Sequence, residues 1–334
     1  MTCVKNAPCC EVERGEVMKK TWYLIIGVVL LVIGCIAYGY HEHHKPKTAQ
    51  ELKTVRVAYL PITHALPVFA TKELETADGP VHVELVKYGS WPELMDALNT
   101  GKVDAASVLV ELGVKAREQG IDVRAAALGH TEGNIIIVNK DINSVQDLKG
   151  KSFAIPHKQS TQKVLVDCML EEAGLSEKDV QIVEMSPPEM PSALSVGQIA
   201  GYSVAEPFGS LALEMGTGKV FEDPDHLWHD NICCALVFNG QFVDEHHDLA
   251  KAFTKAYLDA GKYLDEHPKA QEEISLKYMK FNDPVIERSL KVIGFKDLAL
   301  TEDRYNALVH HMTHIDLIKK VPTYSEFVDQ SLLP

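Results

Sequence analysis

The sequence predicts a two-lobed α/β protein, each lobe a mainly parallel sheet flanked by helices, and three observations carry that prediction. The first is an internal repeat. Ser90 to Val108 reads SWPELMDALNTGKVDAASV and Ser186 to Val204 reads SPPEMPSALSVGQIAGYSV; at a constant offset of 96 they share eight of nineteen positions. The pairs Leu94/Met190, Lys102/Gln198 and Val103/Ile199 extend the match. Self-similarity of this kind points to one structural unit used twice. The second observation is that each copy lies in the same order of short apolar runs and helix-spaced segments, the pattern of a parallel sheet covered by helices. The third is the length of 334 residues, enough for two such units.

The N-terminus reads as a membrane address. Thr21–Tyr40 carries no charge, and Lys19-Lys20 stand immediately before it. Read from Met18, two lysines, an apolar run and Val32-Ile33-Gly34-Cys35 have the order of a bacterial lipoprotein signal peptide, with Cys35 lipidated after cleavage. Residues 1–17 are then an untranslated or disordered extension. The competing reading of residues 18–40 is an uncleaved transmembrane anchor, because Ile36–Tyr40 stays apolar and the run approaches the ~20 residues needed to span a bilayer. In both readings Lys19-Lys20 stay inside and the rest is extracytoplasmic. Residues 41–54, opening with HEHHKPK, read as a His-rich tether, a solvated spacer rather than a metal site.

The repeat organises the body. Pro92-Glu93 and Pro188-Glu189 suit the first turns of helices. Leu94, Ala97 and Leu98, and in the second copy Met190, Ala193 and Leu194, follow at helical spacing. Gly101 and Gly197 then end the helices before a buried strand. Upstream, VRVAYLPITH (Val55–His64) and KSFAIPHKQST (Lys151–Thr161) each run a strand into Pro and capping-type residues, and Val81–Val86 and Val180–Met185 are further strands. Asn134–Asn139, a continuous Ile/Val run, is expected as the last strand of the first lobe. Lobe 1 is therefore assigned to residues 55–141 and 236–334, and lobe 2 to 142–235, with Ile232–Phe238 as the returning strand. Beyond Gln241, helices over Asp248–Glu266, Lys269–Met279, Pro284–Gly294 and Glu302–Ile318 are expected to complete lobe 1. His246-His247 and His310-His311 with His314 read as their solvated faces.

Ligands of parallel α/β sheets bind beyond the carboxyl ends of the strands. Those ends bring forward Thr63-His64, Trp91, Ser107 and His130 in lobe 1, and His157, Ser160-Thr161 and Glu206-Pro207 in lobe 2. Ser160-Thr161 start a helix, Gln162–Ala173, whose free N–H groups and dipole suit an anion, with His157 and Lys158 alongside. N-capping by the same hydroxyls needs no ligand. Cys233-Cys234 read either as small core residues or as a thiolate for a soft metal or organometal, helped by His64, His130 or His229. Strand alternation allows only one of the two to face the cleft, and a disulfide between neighbours is strained.

Composition excludes some classes. Lys and Arg number 33 against 47 Asp and Glu, a net charge of -14, which argues against a nucleic-acid partner but not against an anionic ligand, whose pocket depends on local donors. No phosphate loop ending in GK[ST], HExxH, GxSxG or CxxC occurs, so no constellation supports an enzyme and no cofactor is expected.

The run SPPEMPSALSVGQIAGYSVAEPFG, with KGKSFAIPHKQST before it and NICCALVF after it, resembles the substrate-binding proteins of ABC importers in the nitrate/sulfonate/bicarbonate group, which includes taurine and thiamine-precursor binders. The resemblance covers about Val55 to Gly294. It implies a type 2 periplasmic-binding-protein fold with two hinge crossings, closure over a ligand, and docking onto a membrane permease with its ATPase. By position it implies a pocket containing Thr63, His64, Trp91, Ser107, Ser160, Thr161 and Glu206-Pro207; the strand ends add His130, His157 and Cys233. The ligand it implies first is an oxyanion or sulfonate. A soft-metal or organometal binder using Cys233, Cys234 and His64 is the alternative on the same fold. Thiamine-precursor (pyrimidine) binding or synthesis is a third, weakened by the absent cysteine-rich iron motif of the enzyme branch and by the export signal.

Overall fold

The computed structural model describes residues 53–334 and nine helical positions between Tyr23 and Cys35. The expected extension (1–17), most of the 18–40 segment and the tether up to residue 52 lie outside the described residues; Cys35 itself is helical and exposed. Among the described residues no helix is long and apolar enough to cross a membrane. Contacts separate Met1–Leu52 from the body, Lys53–Pro334.

Two five-stranded sheets form the two lobes. The first contains β1 (Thr54–Tyr59), β2 (His82–Lys87), β3 (Ala105–Leu109), β4 (Val123–Leu128) and β11 (Cys234–Asn239), in the order β2-β1-β3-β11-β4. The second contains β6 (Asn134–Asn139), β7 (Ser152–Ile155), β8 (Gln181–Glu184), β9 (Gly201–Ala205) and β10 (Gly218–Val220), in the order β10-β6-β9-β7-β8. The repeat persists in the register. β1 meets β3 in parallel at Val57↔Ala105 and β7 meets β9 in parallel at Phe153↔Gly201, so both partners are displaced by the same 96 residues.

Within each copy the local chemistry works as the sequence suggests. The Trp91–Asn99 helix has Pro in its first turn and Glu93 beside it, and buries Trp91, Leu94, Met95, Ala97 and Leu98. Its counterpart, Met190–Ser195, buries Met190, Ala193 and Leu194. Gly101 and Gly197 follow at φ 71° and 73°, where a side chain would cost about 1–2 kcal/mol.

One assignment needs correcting. β6 pairs antiparallel with β9 and β10, so it belongs to the second sheet and the first crossing falls at Gly129–Gly133, not near residue 141. The return strand β11 lies antiparallel between β3 and β4, with a bulge at Leu236/Val237. Each lobe thus takes its fourth strand from chain that has just left the other lobe. A strand apolar on both faces fits the middle of either sheet, so composition cannot assign it; only pairing does.

The C-terminal helices His247–Glu266 and Pro268–Met279 pack on the Leu66–Glu73 helix of the first lobe. The expected Pro284–Gly294 helix is shorter, Asp283–Ser289, and joins the second lobe instead. There Arg288 Nη1 donates to Ser210 O at 3.4 Å, and the ring of neighbouring Phe281 meets Phe208 at 5.5 Å. β12 (Ile293–Gly294) then pairs with β5 (Thr131–Glu132) at the first crossing. The last long helix spans Glu302–His314. Fully buried Phe69, Phe153, Tyr202, Phe238, Phe253 and Tyr257 anchor the core, each contributing about 1.5–3 kcal/mol of burial.

Candidate functional site at the lobe interface

Three strands of the first sheet deliver four soft donors to one place. His64 sits in the single turn after β1, His130 follows β4, Cys234 begins β11, which lies between β3 and β4, and Cys233 stands just before it. All four are buried, and one nitrogen from each ring and both sulfurs lie within 4.8 Å of one another. The two Sγ atoms are 3.9 Å apart, and Cys234 Sγ is 3.5 Å from His64 Nδ1. The imidazole rings stack at 3.5 Å with planes 31° apart. His64 Nε2 lies 2.9 Å from Gly133 O, and a carbonyl only accepts, so Nε2 carries a proton, while Nδ1 faces Cys234. The Cys234 backbone N lies 3.3 Å from His130 Nε2, and His130 Nδ1 is buried with no hydrogen-bond partner among the described residues.

Both cysteines therefore face one cluster, and the expectation that alternation admits only one is corrected. The ladder of β11 begins at Cys234↔Leu109. Cys233 precedes it, with its carbonyl accepting from Val110 N at 2.7 Å, and the period-2 rule does not govern a residue outside the strand. His229 is not a member: it is exposed and paired with Asp225 at 3.0 Å.

The second lobe covers this cluster. Gln162 Nε2 lies 3.3 Å from Cys233 Sγ and 2.6 Å from Asn134 Oδ1, and Asn134 Nδ2 donates to Asn231 Oδ1 at 3.1 Å. Thr161 Oγ1 lies 2.5 Å from Glu111 Oε1 and 2.7 Å from Ile232 O. One hydroxyl proton serves only one of these acceptors. Burial, and then the facing Cys233, hold the Glu111 carboxyl well above its usual range. On the other side, Thr63 N and Oγ1 both donate to Glu206 O at 3.0 Å.

The electrostatics of the cluster are unequal. Burial, with the facing His64, pushes the His130 imidazole down to about 4. Burial opposes ionisation of Cys233, but the Cys234 thiol and the two imidazoles outweigh it and make Cys233 the acidic member. Cys234 is held well above the ordinary thiol range by burial and by its neighbour.

The other expected residues divide among distinct environments. Trp91 and His157 flank an outer cleft of about 400 Å³, with Pro92 on one lobe and Pro156, Glu184 and Met185 on the other. His157 Nδ1 accepts from Gln159 N at 3.0 Å, and burial lowers its pKa. Ser160 is a helix cap, accepting from Lys163 N at 3.1 Å and donating to His157 O at 2.7 Å. The Glu206 carboxylate turns back onto its own helix, accepting from Ser210 N and Oγ at 2.9 and 2.8 Å, and burial raises its pKa. Ser107, expected at a strand end, is instead buried in the middle of β3, opposite Leu236, its Oγ without a hydrogen-bond partner among the described residues. His311 lies against Trp228 at 4.4 Å and His314 pairs with Glu171 at 3.2 Å, so neither stands in a ligand set.

Sequence reasoning missed Glu111, Gln162 and Asn134. Glu111 had a signal, a carboxylate inside the apolar run ASVLVELGV. Gln162 belonged to the helix start singled out with Ser160-Thr161, but nothing local gave its side chain a role of its own.

Two α/β lobes joined by two crossings, with a polar interface at their strand ends, define a periplasmic-binding-protein fold. The chain belongs to the NMT1-like family, whose model matches residues 48–277. A crystal structure of the ligand-binding component of an ABC-type import system from Staphylococcus aureus, with zinc bound, superimposes with a TM-score of 0.80 at 35% identity, covering 84% of this chain and 97% of that one. The taurine-binding periplasmic protein of Escherichia coli is 29% identical over 220 residues, 64% of this chain and 67% of its own length. The nitrate import ATP-binding protein NrtC of Synechocystis is 25% identical over 239 residues. The chain spans only 36% of that protein's length, though the match takes in 65% of the chain.

Proposed function

We propose that this chain is the extracytoplasmic solute-binding component of an ABC importer. It captures a small solute between its two lobes and presents it to a permease and its ATPase. The observation that carries this reading is the hydrogen-bonded contact between lobes at the strand ends, through Thr63–Glu206, Thr161–Glu111 and Gln162–Cys233, in a member of the NMT1-like family. Relatives named for taurine, for nitrate import and for an ABC import component with zinc bound support it. A relative named as a taurine-binding periplasmic protein favours binding over catalysis. Taurine and nitrate make a sulfonate or oxyanion the first solutes to test.

Anchoring through Cys35 belongs to the same proposal, on the order of Lys19-Lys20, an apolar run and Val32-Ile33-Gly34-Cys35. Mass spectrometry of membrane-extracted protein would then find a lipidated Cys35 as the first residue; an N-terminus at Met1 or Met18 would instead support an uncleaved anchor.

The test is a thermal-shift series on the full chain with nitrate, taurine, an alkyl sulfonate and Zn²⁺. A solute at a hundred times its Kd stabilises the protein by about 2.7 kcal/mol. If none of the four raises the melting temperature, and none draws the lobes together in spin-label distance measurements, the solute-binding reading fails.

A further inference from the structure

We propose that His64, His130, Cys233 and Cys234 form a tetrahedral binding site for one thiophilic cation of the zinc class, and that this cation is the solute over which the lobes close. The inference rests on the solute-binding reading above and names the solute. The spacing of the donors carries it. Around a tetrahedral Zn²⁺, with Zn–S about 2.3 Å and Zn–N about 2.05 Å, two sulfurs stand about 3.8 Å apart and a sulfur and a nitrogen about 3.6 Å apart. The structure has 3.9 Å between the sulfurs and 3.5 Å between Cys234 Sγ and His64 Nδ1. The donors thus already mark edges of the required polyhedron.

Three further features agree. Two sulfurs and two imidazole nitrogens select zinc-class cations over Ca²⁺ or Mg²⁺, which take oxygen ligands. His64 is oriented as metal-bound histidines are, its outer nitrogen donating to a backbone carbonyl, Gly133 O, and its inner nitrogen turned to the cluster. Gln162 Oε1 and Glu111 Oε2, in the same interface, are buried with no hydrogen-bond partner among the described residues. The arrangement is also asymmetric in a useful way. All four ligands come from the first lobe and the returning segment, while Gln162 of the second lobe reaches Cys233 Sγ at 3.3 Å. The first lobe can load the ion and the second can cover it. Binding a divalent ion between two thiols and two neutral imidazoles releases the thiol protons to solvent, leaving a neutral complex suited to a buried site.

The probe is Co²⁺, added to the full chain under anaerobic, reducing conditions. Expected are thiolate-to-cobalt charge-transfer absorption and tetrahedral d–d bands, saturating at one site-specific equivalent and abolished by Zn²⁺. Cys233→Ser and Cys234→Ser each remove a direct ligand and should weaken this binding by more than the roughly 10–100-fold typical of losing an outer partner, and Cys168→Ser should leave it unchanged. Absorption that survives in both variants belongs to the N-terminal cysteines and histidines, and if all of it survives the inference is wrong. A measurement without variants guards against misfolding. Bound Zn²⁺ should slow alkylation of Cys233 and Cys234 at least tenfold in peptide mass spectra, but not that of Cys168; equal rates with and without Zn²⁺ overturn the site. Spin labels across the lobes complete the test. Closure by Co²⁺, lost in Gln162→Ala although the absorption remains, supports the cargo role, whereas cobalt bound without closure removes it. Closure by nitrate or taurine with no cobalt absorption defeats the metal site and leaves the solute-binding reading standing.

Discussion

Replacing Thr161 by Val tests whether the lobe interface is held by a few buried hydrogen bonds. Val keeps the branched shape and deletes only the hydroxyl, which lies 2.5 Å from Glu111 Oε1 and 2.7 Å from Ile232 O. The helix itself should survive, because its cap is the neighbouring Ser160, which accepts from Lys163 N. The substitution leaves two buried groups unpaired, each costing about 1–3 kcal/mol. Taking the low end for both, the closed arrangement loses about 2 kcal/mol. At about 1.4 kcal/mol per tenfold, that is a shift of roughly thirtyfold towards open lobes. In the open form water reaches both groups, so the cost falls on the closed state. For a protein that rests open, solute affinity should fall by a similar factor. The assay combines calorimetry with distance distributions between spin labels at exposed Asp96 and Lys178, on opposite lobes. A lowered melting temperature with unchanged distances and unchanged affinity would refute the argument and reduce Thr161 to a helix-start residue.

Other perturbations probe the scaffold around the site. Gly133 has φ 83°, and an added Cβ would stand 2.9 Å from Ile293 Cδ1 and 3.0 Å from His64 Nε2; Gly133→Ala should cost at least about 1–2 kcal/mol in denaturant unfolding and weaken solute binding by displacing His64. Tyr202→Phe removes the hydroxyl that donates to Phe208 O at 2.9 Å and should cost about 1 kcal/mol with affinity unchanged by calorimetry. Glu118 ties the Val110–Glu118 helix to the C-terminal segment, accepting from Lys319 N and Lys320 N at 2.8 and 2.9 Å and pairing with Lys115. Those partners, Lys115 foremost, lower its pKa from 4.5 to about 2. Because the folded value lies below the unfolded one, its contribution is present at neutral pH and is lost as pH falls from about 5 to about 2. Glu118→Gln should therefore cost about 1–2 kcal/mol at pH 7, after allowance for solvent screening, and flatten the acid limb of the stability curve; a parallel limb in the variant would contradict the assignment.

Much of this protein is legible in its sequence because the signals are local. The repeat at an offset of 96 survives as matched registers, Val57↔Ala105 and Phe153↔Gly201. Gly101 and Gly197 end their helices at positive φ, as the need for a left-handed stop demands. The start of the Thr161–Glu172 helix and the carboxyl-end positions of Thr63, His64 and His130 were also readable, since strand ends in such sheets gather at one edge; Cys233 reaches that edge from the amino end of antiparallel β11. What local pattern could not decide was partnership. Asn134–Asn139 is apolar on both faces and suits the centre of either sheet; its pairing with β9 and β10 depends on where the chain crosses. Cys233 and Cys234 seemed bound to point apart, yet the ladder starts one residue late and both sulfurs turn to the same two imidazoles. Whether Ser160 and Thr161 meet a ligand or cap their own helix was open in the sequence; the fold spends Ser160 on its helix and Thr161 on the opposite lobe. Except for the local cap at Ser160, the deciding interaction joins residues 50 or more apart in sequence, or a strand to a distant neighbour. Side-chain period and propensity describe an element by itself, whereas pairing and closure are set by which surfaces the whole chain brings into contact.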